Sequence, residues 1–183
     1  MTISKADEPW KAARSLGDLA AATIEFLEGR LPETPLHGGP PHSESSPLIP
    51  SLVAMKRAGF VTTDSQPGWM DESTRCTQRA YVEGICNEST AAKITEDLLA
   101  EDLVVISFSP GSDVYSSIAV TVDQGSPFTF LGRWSVDELD HLRNGHTQLD
   151  ADLDAAWALQ IFDPTWARND RFWPAVLRAL AME

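Results

Sequence analysis

Residues 43–68 read SESSPLIPSLVAMKRAGFVTTDSQPG, and the fold turns on this stretch. Pro47 to Lys56 puts Leu48, Leu52 and Met55 at helical spacing, with a proline before the first turn and Gly59 just past the last. Glu44, Ser45 and Ser46 therefore stand at the helix start, where side-chain oxygens accept the unpaired amide protons of the first turn. Phe60 to Thr63 is a short aromatic and β-branched run that predicts a strand, and Asp64 to Gly68 ends it with residues that favour a turn. Thr62, Asp64, Ser65 and Gln66 would then cluster at the strand end, either as caps of a turn or as binding groups held by the rigid element behind them.

Upstream, Trp10 to Leu27 carries an apolar helical stripe with a break near Ser15 to Asp18, closed by Glu28-Gly29-Arg30. Residues 1–9 are polar and are expected to be disordered. Between the helix and Glu44, the prolines Pro32, Pro35, Pro40 and Pro41 and the Gly38-Gly39 pair rule out regular structure and predict an extended connector.

Downstream, GWMDESTRCT from Gly68 to Thr77 reads as a polar loop, with Trp69 and Met70 beside the central stretch. Gln78 to Cys86 then predicts a strand, and Glu88 to Ala100 a helix with Asn87 as its N-cap. Leu103 to Phe108 is a continuous apolar run, the pattern of a central strand buried on both faces. Val114 to Val122, Pro127 to Leu131 and Trp157 to Phe162 predict further strands, and Ser135 to Glu138 has the capping-box pattern of a short helix. Phe172, Trp173, Val176, Leu177 and Leu180 give a C-terminal helix its apolar face. Helices and strands in this order predict an α+β fold, a mixed sheet with helices packed on it, as one domain over residues 10–183.

Twenty-seven acidic residues against 14 basic ones leave a net charge of −13 among 183 residues. Such a surface repels a phosphate backbone and an anionic bilayer, so neither nucleic acid nor membrane is an expected partner. No apolar run is long enough to span a bilayer, and the N-terminus lacks a basic segment followed by an apolar one, so the expected location is cytoplasmic. Cys76 and Cys86 suit neither a disulfide framework nor a zinc site, and His37, His42, His141 and His146 form no HExxH pattern. No metal is expected. No glycine-rich phosphate loop follows the first strand, which argues against a Rossmann domain.

Three segments carry a resemblance. They are Glu44-Ser45 followed by G-x-x-T-x-x-S-Q-P from Gly59 to Pro67, QRAYVE from Gln78 to Glu83, and N-x-x-x-W-x-x-V from Asn169 to Val176. In this order they resemble the C-terminal regulatory domain of eukaryotic methylenetetrahydrofolate reductase, and the likeness runs from about Trp10 to Leu180. The resemblance implies S-adenosylmethionine or S-adenosylhomocysteine as ligand. It assigns ligand contacts to Glu44, Ser45, Thr62 and Ser65, with Thr121 matching a later threonine contact; His42, Asp64, Gln66 and Tyr81 are read beside them as candidate pocket neighbours. Ser45 stands where that family usually has Thr and keeps the hydroxyl, whereas a further threonine contact falls near Val105, which has none. A chain of this length has no place for the reductase's flavin-bearing barrel, so no flavin is expected and the implied protein is a regulatory module standing alone. Its expected partners are a second copy of itself, as a homodimer, or a partner enzyme.

Three functions fit these residues. One is a non-catalytic binder of the adenosyl ligand. Another is an enzyme that uses the ligand as methyl donor or cleaves it, with Glu44, Asp64 or Tyr81 as general base and Cys86 as nucleophile. The last is an interaction module without ligand, anchored by Trp134, Trp157, Trp166 and Trp173. A serine hydrolase using Ser65, His42 and Asp64 is disfavoured, because no G-x-S-x-G elbow surrounds the serine.

Overall fold

A computed structural model of the chain describes residues 8–35 and 38–181. The expected disorder over residues 1–7 lies outside them, whereas Glu8 and Pro9 already belong to a helix. Two short helices, α1 (Glu8–Ala12) and α2 (Leu16–Leu27), are divided at Ser15, whose hydroxyl caps α2 by accepting from the Asp18 amide. The proline-containing connector leads to a 3₁₀ segment, Ser43–Leu48, and directly into α3 (Ile49–Arg57). Pro47 and Pro50 explain that split start: each lacks an amide proton, which is tolerated in a first turn and not further in. Gly59, at a φ of +87°, makes the turn into β1 (Val61–Gln66).

From there the chain forms β2 (Trp69–Asp71), β3 (Cys76–Gln78), β4 (Tyr81–Cys86), α4 (Glu88–Leu98), β5 (Val104–Phe108), β6 (Ile118–Asp123) and β7 (Ser126–Leu131). A 3₁₀ segment (Val136–Leu142), α5 (Thr147–Asp154), β8 (Trp157–Phe162) and α6 (Phe172–Leu180) complete it. The fold is α+β. Its strands form two four-stranded sheets, ordered β1-β4-β8-β5 and β2-β3-β6-β7, and every pairing is antiparallel. The expected single mixed sheet is thus two antiparallel ones.

Several segments depart from the sequence reading for identifiable reasons. The polar run from Trp69 to Gln78 is a hairpin, with Asp71 accepting from the Ser73 and Thr74 hydroxyls at its turn. β5 lies at a sheet edge, and the buried centre is β8, flanked by β4 and β5. β1 continues through Asp64 to Gln66 instead of turning there, because those residues pair with Glu83, Val82 and Tyr81 across a register shift at Thr63. Helix α5 has only Leu149 and Leu153 fully buried, too weak an apolar pattern to stand out.

Strand alternation builds three layers. Leu159 and Ile161 of β8 join the large core with α2, α3, α4 and α6, while Phe162 meets Tyr81, Val120 and Leu131 in a second cluster between the sheets. The QRAYVE segment is where the chain crosses from one sheet to the other. Gln78 belongs to β3 and Tyr81 to β4, and the intervening Arg79 guanidinium lies 4.1 Å from the Trp166 ring and donates to the Asp163 and Pro164 carbonyls.

Candidate functional site

A cavity of about 420 Å³ opens where α2, α3, β1 and the proline-containing connector meet. That size lies within the range of small-molecule sites. Trp10, Leu19, Phe26, Leu27 and Leu52 give it an apolar wall, and Thr34, Pro35, Pro41 and His42 of the connector form another side. Every residue from Val61 to Gln66 lines it. Successive strand residues point to opposite faces, so the cavity meets β1 along its free edge.

Glu44, Ser45, Thr62 and Ser65 all line this one space, as do His42, Asp64 and Gln66. Tyr81 sits behind them: its hydroxyl donates to Asp64 Oδ2 at 2.7 Å. Burial first, and the Asp64 charge second, push the Tyr81 phenol well above its ordinary range, which keeps it protonated and holds the carboxylate in place. Tyr81 therefore orients Asp64 and does not act as a base. Cys86 is fully buried in the helix-side core with its thiol pushed up to about 12 by burial, so the thiolate needed of a nucleophile is withheld.

Thr121 does not line the cavity. It lies on β6 in the second sheet, and its hydroxyl donates to Gln78 Oε1 at 3.2 Å. Gln78 in turn donates to Gln66 Oε1 at 3.2 Å and to the Pro67 carbonyl at 2.8 Å, and Gln66 donates to Glu44 Oε1 at 3.4 Å. Thr121 is thus the far end of an amide relay that leads to Glu44, one of the cavity's two carboxylates. Val105 is on β5, across β8 and β4 from β1.

The sequence reading missed Lys56. This side chain is 3% exposed, lines the cavity, and donates from Nζ to the Thr62 carbonyl at 2.9 Å and to the Thr62 hydroxyl. Burial lowers its pKa to about 7. Among the described residues no carboxylate lies within ion-pair distance of it. Its spacing held a clue: Lys56 follows the buried Leu52 by four residues, on the same helix face.

A second cavity of about 280 Å³ lies on the other side of Thr63 and Asp64, lined by Glu83, Arg133, Glu138, His141 and Gln160 among others. Glu83 accepts from Gln160 Nε2 at 2.5 Å, and burial, followed by repulsion from Asp64, raises its carboxyl to about 7. Gln160 is held from its other end by the Gly132 amide at 2.7 Å. Of the tryptophans read as interface anchors, Trp134 and Trp173 are buried and Trp166 stacks beneath Arg79. Among the described residues no group of three or more His, Cys, Asp or Glu is placed to hold a metal ion, and no helix is long and apolar enough to cross a membrane.

A family model described as Domain of unknown function (DUF6919) matches residues 5–183. No curated protein matches the chain.

Proposed function

We propose that this chain, which belongs to the family described as Domain of unknown function (DUF6919), binds S-adenosylmethionine or S-adenosylhomocysteine in the 420 Å³ cavity and works as a ligand sensor. The observation that carries this reading is convergence. One carboxylate, Glu44, and three hydroxyls, on Ser45, Thr62 and Ser65, face a single space with an apolar wall. The wall suits the adenine ring. Carboxylates accept from an ammonium or from ribose hydroxyls, and serine and threonine hydroxyls serve donors and acceptors alike. Two or three charge-assisted bonds of roughly 1.5 to 3 kcal/mol each, with burial of the base, suffice for micromolar affinity. The acidic surface favours approach of a cationic ligand in the cytoplasm. A sensor of this kind passes its state to a second copy or to a partner enzyme.

Isothermal titration and thermal melting with both ligands test the reading. At a ligand concentration a hundredfold above Kd, stabilisation of about 2.7 kcal/mol is expected, a rise in Tm of several degrees for a domain this size. Absence of both heat and melting shift at millimolar ligand overturns it. A catalytic reading draws on one observation, the Glu83 carboxyl held near 7 beside Asp64, which suits general acid-base chemistry. Mass spectrometry of the ligand after overnight incubation separates the two, since a sensor returns it unchanged.

A further inference from the structure

We propose that Lys56 is the anion-binding element of the cavity and receives the carboxylate of the ligand's amino-acid tail. This rests on the reading of the ligand as an adenosyl amino acid and adds the group that selects its tail.

A lysine ammonium has three protons, and two of the acceptors it meets here belong to one residue, Thr62. Both are neutral. A buried cation is normally matched by an anion, yet burial alone accounts for the perturbation of Lys56, with no carboxylate opposing it. The two acidic groups on the cavity wall are engaged elsewhere: Glu44 accepts from Gln66, and Asp64 accepts from Tyr81 and from the Ser65 amide. Lys56 and Thr62 both line the cavity, so a carboxylate bound there lies against the residue that bears the ammonium. The arrangement separates charge along the pocket, with a cation on α3 for the tail's carboxylate and carboxylates at the 3₁₀ segment and β1 for its ammonium or sulfonium. A nucleoside without the carboxylate would leave the cation unmatched.

The test compares S-adenosylhomocysteine with its decarboxylated analogue, which keeps the adenosine, the sulfur and the ammonium. Titration of the full chain at pH 6, where Lys56 carries its proton, is expected to show the complete ligand binding at least ~10-fold more tightly, the effect of one charge-assisted bond. In Lys56→Met that preference is expected to collapse to within about twofold, through loss of affinity for S-adenosylhomocysteine and not for the analogue. Equal binding of the two by the unmodified chain overturns the inference without recourse to any variant. So does a preference that survives in Lys56→Met. If the unmodified chain binds neither ligand, the reading of the ligand class falls, and this assignment with it; if it binds both equally, only the assignment of Lys56 falls.

Discussion

Replacing Lys56 by methionine should make the unliganded protein more stable, and the gain should depend on pH with a definite sign. The native ammonium titrates near 7 instead of its ordinary 10.5. At about 1.36 kcal/mol per pKa unit, burying it in charged form costs roughly 4 to 5 kcal/mol. At pH 6 the group is protonated in both folded and unfolded chains, and the whole cost is present. Between pH 7 and 10.5 the folded chain has released the proton while the unfolded chain still holds it, so stability climbs through that window and the cost has vanished at its top. Methionine removes the charge and also removes a donor from the Thr62 carbonyl and hydroxyl, a loss of about 1 kcal/mol for each. Lys56→Met should therefore be more stable by about 2 to 3 kcal/mol at pH 6, a rise in Tm of roughly 5 to 10 °C. Near pH 10 it should be the less stable protein. Urea unfolding of both proteins at intervals from pH 6 to 10 measures the difference, in which titrations common to the two, such as that of Cys86, cancel. A difference that stays constant over this range, or a variant less stable at pH 6, would refute the argument that Lys56 is a charge buried for binding.

Glu83 should behave in the opposite sense. Its carboxyl is raised from 4.5 to about 7, so the folded chain holds the extra proton between those values and stability falls as pH rises through them; Glu83→Gln should gain about 1 to 3 kcal/mol at pH 8 and nothing at pH 4, read by thermal melts. Gly84→Ala should destabilise by about 2 kcal/mol or more, because a Cβ there would lie 2.6 Å from the Val61 carbonyl oxygen and 2.9 Å from Phe60 Cε2; an unchanged urea midpoint would show that β1 gives way freely. Gln78→Met breaks the relay to Glu44 at a buried position that does not line the cavity, and affinity for S-adenosylhomocysteine should fall by roughly 3- to 10-fold by titration.

The sequence made much of this legible. The helix break near Ser15, the Asn87 cap, the Gly59 turn and the apolar run of β8 are local signals, and each stands in the structure where the residues put it. The polar cluster from Glu44 to Gln66 was legible as a cluster because its members lie on consecutive elements. What is long-range was not. Nothing local shows that β5 ends at an edge while β8 sits in the centre, since an apolar run looks alike in both positions. Thr121 is placed at the site by motif matching alone, and its position on β6 in the second sheet keeps it off the cavity wall. Lys56 was hidden by chemistry, because a lysine on a helix is ordinarily solvated. Only its four-residue offset from Leu52 pointed inward.

Because the cavity meets β1 along its edge, part of its surface is main chain. The strand's outward amides and carbonyls have no neighbouring strand, and Lys56 takes one of them, the Thr62 carbonyl. Those atoms persist through any substitution except one to proline, which removes the amide proton. Positions 44 and 45 lie off the strand, on the 3₁₀ segment, and can vary without removing a partner from that backbone track. On the proposed reading, related chains could alter which ligand groups they contact there while keeping the main-chain surface that holds the rest of the ligand.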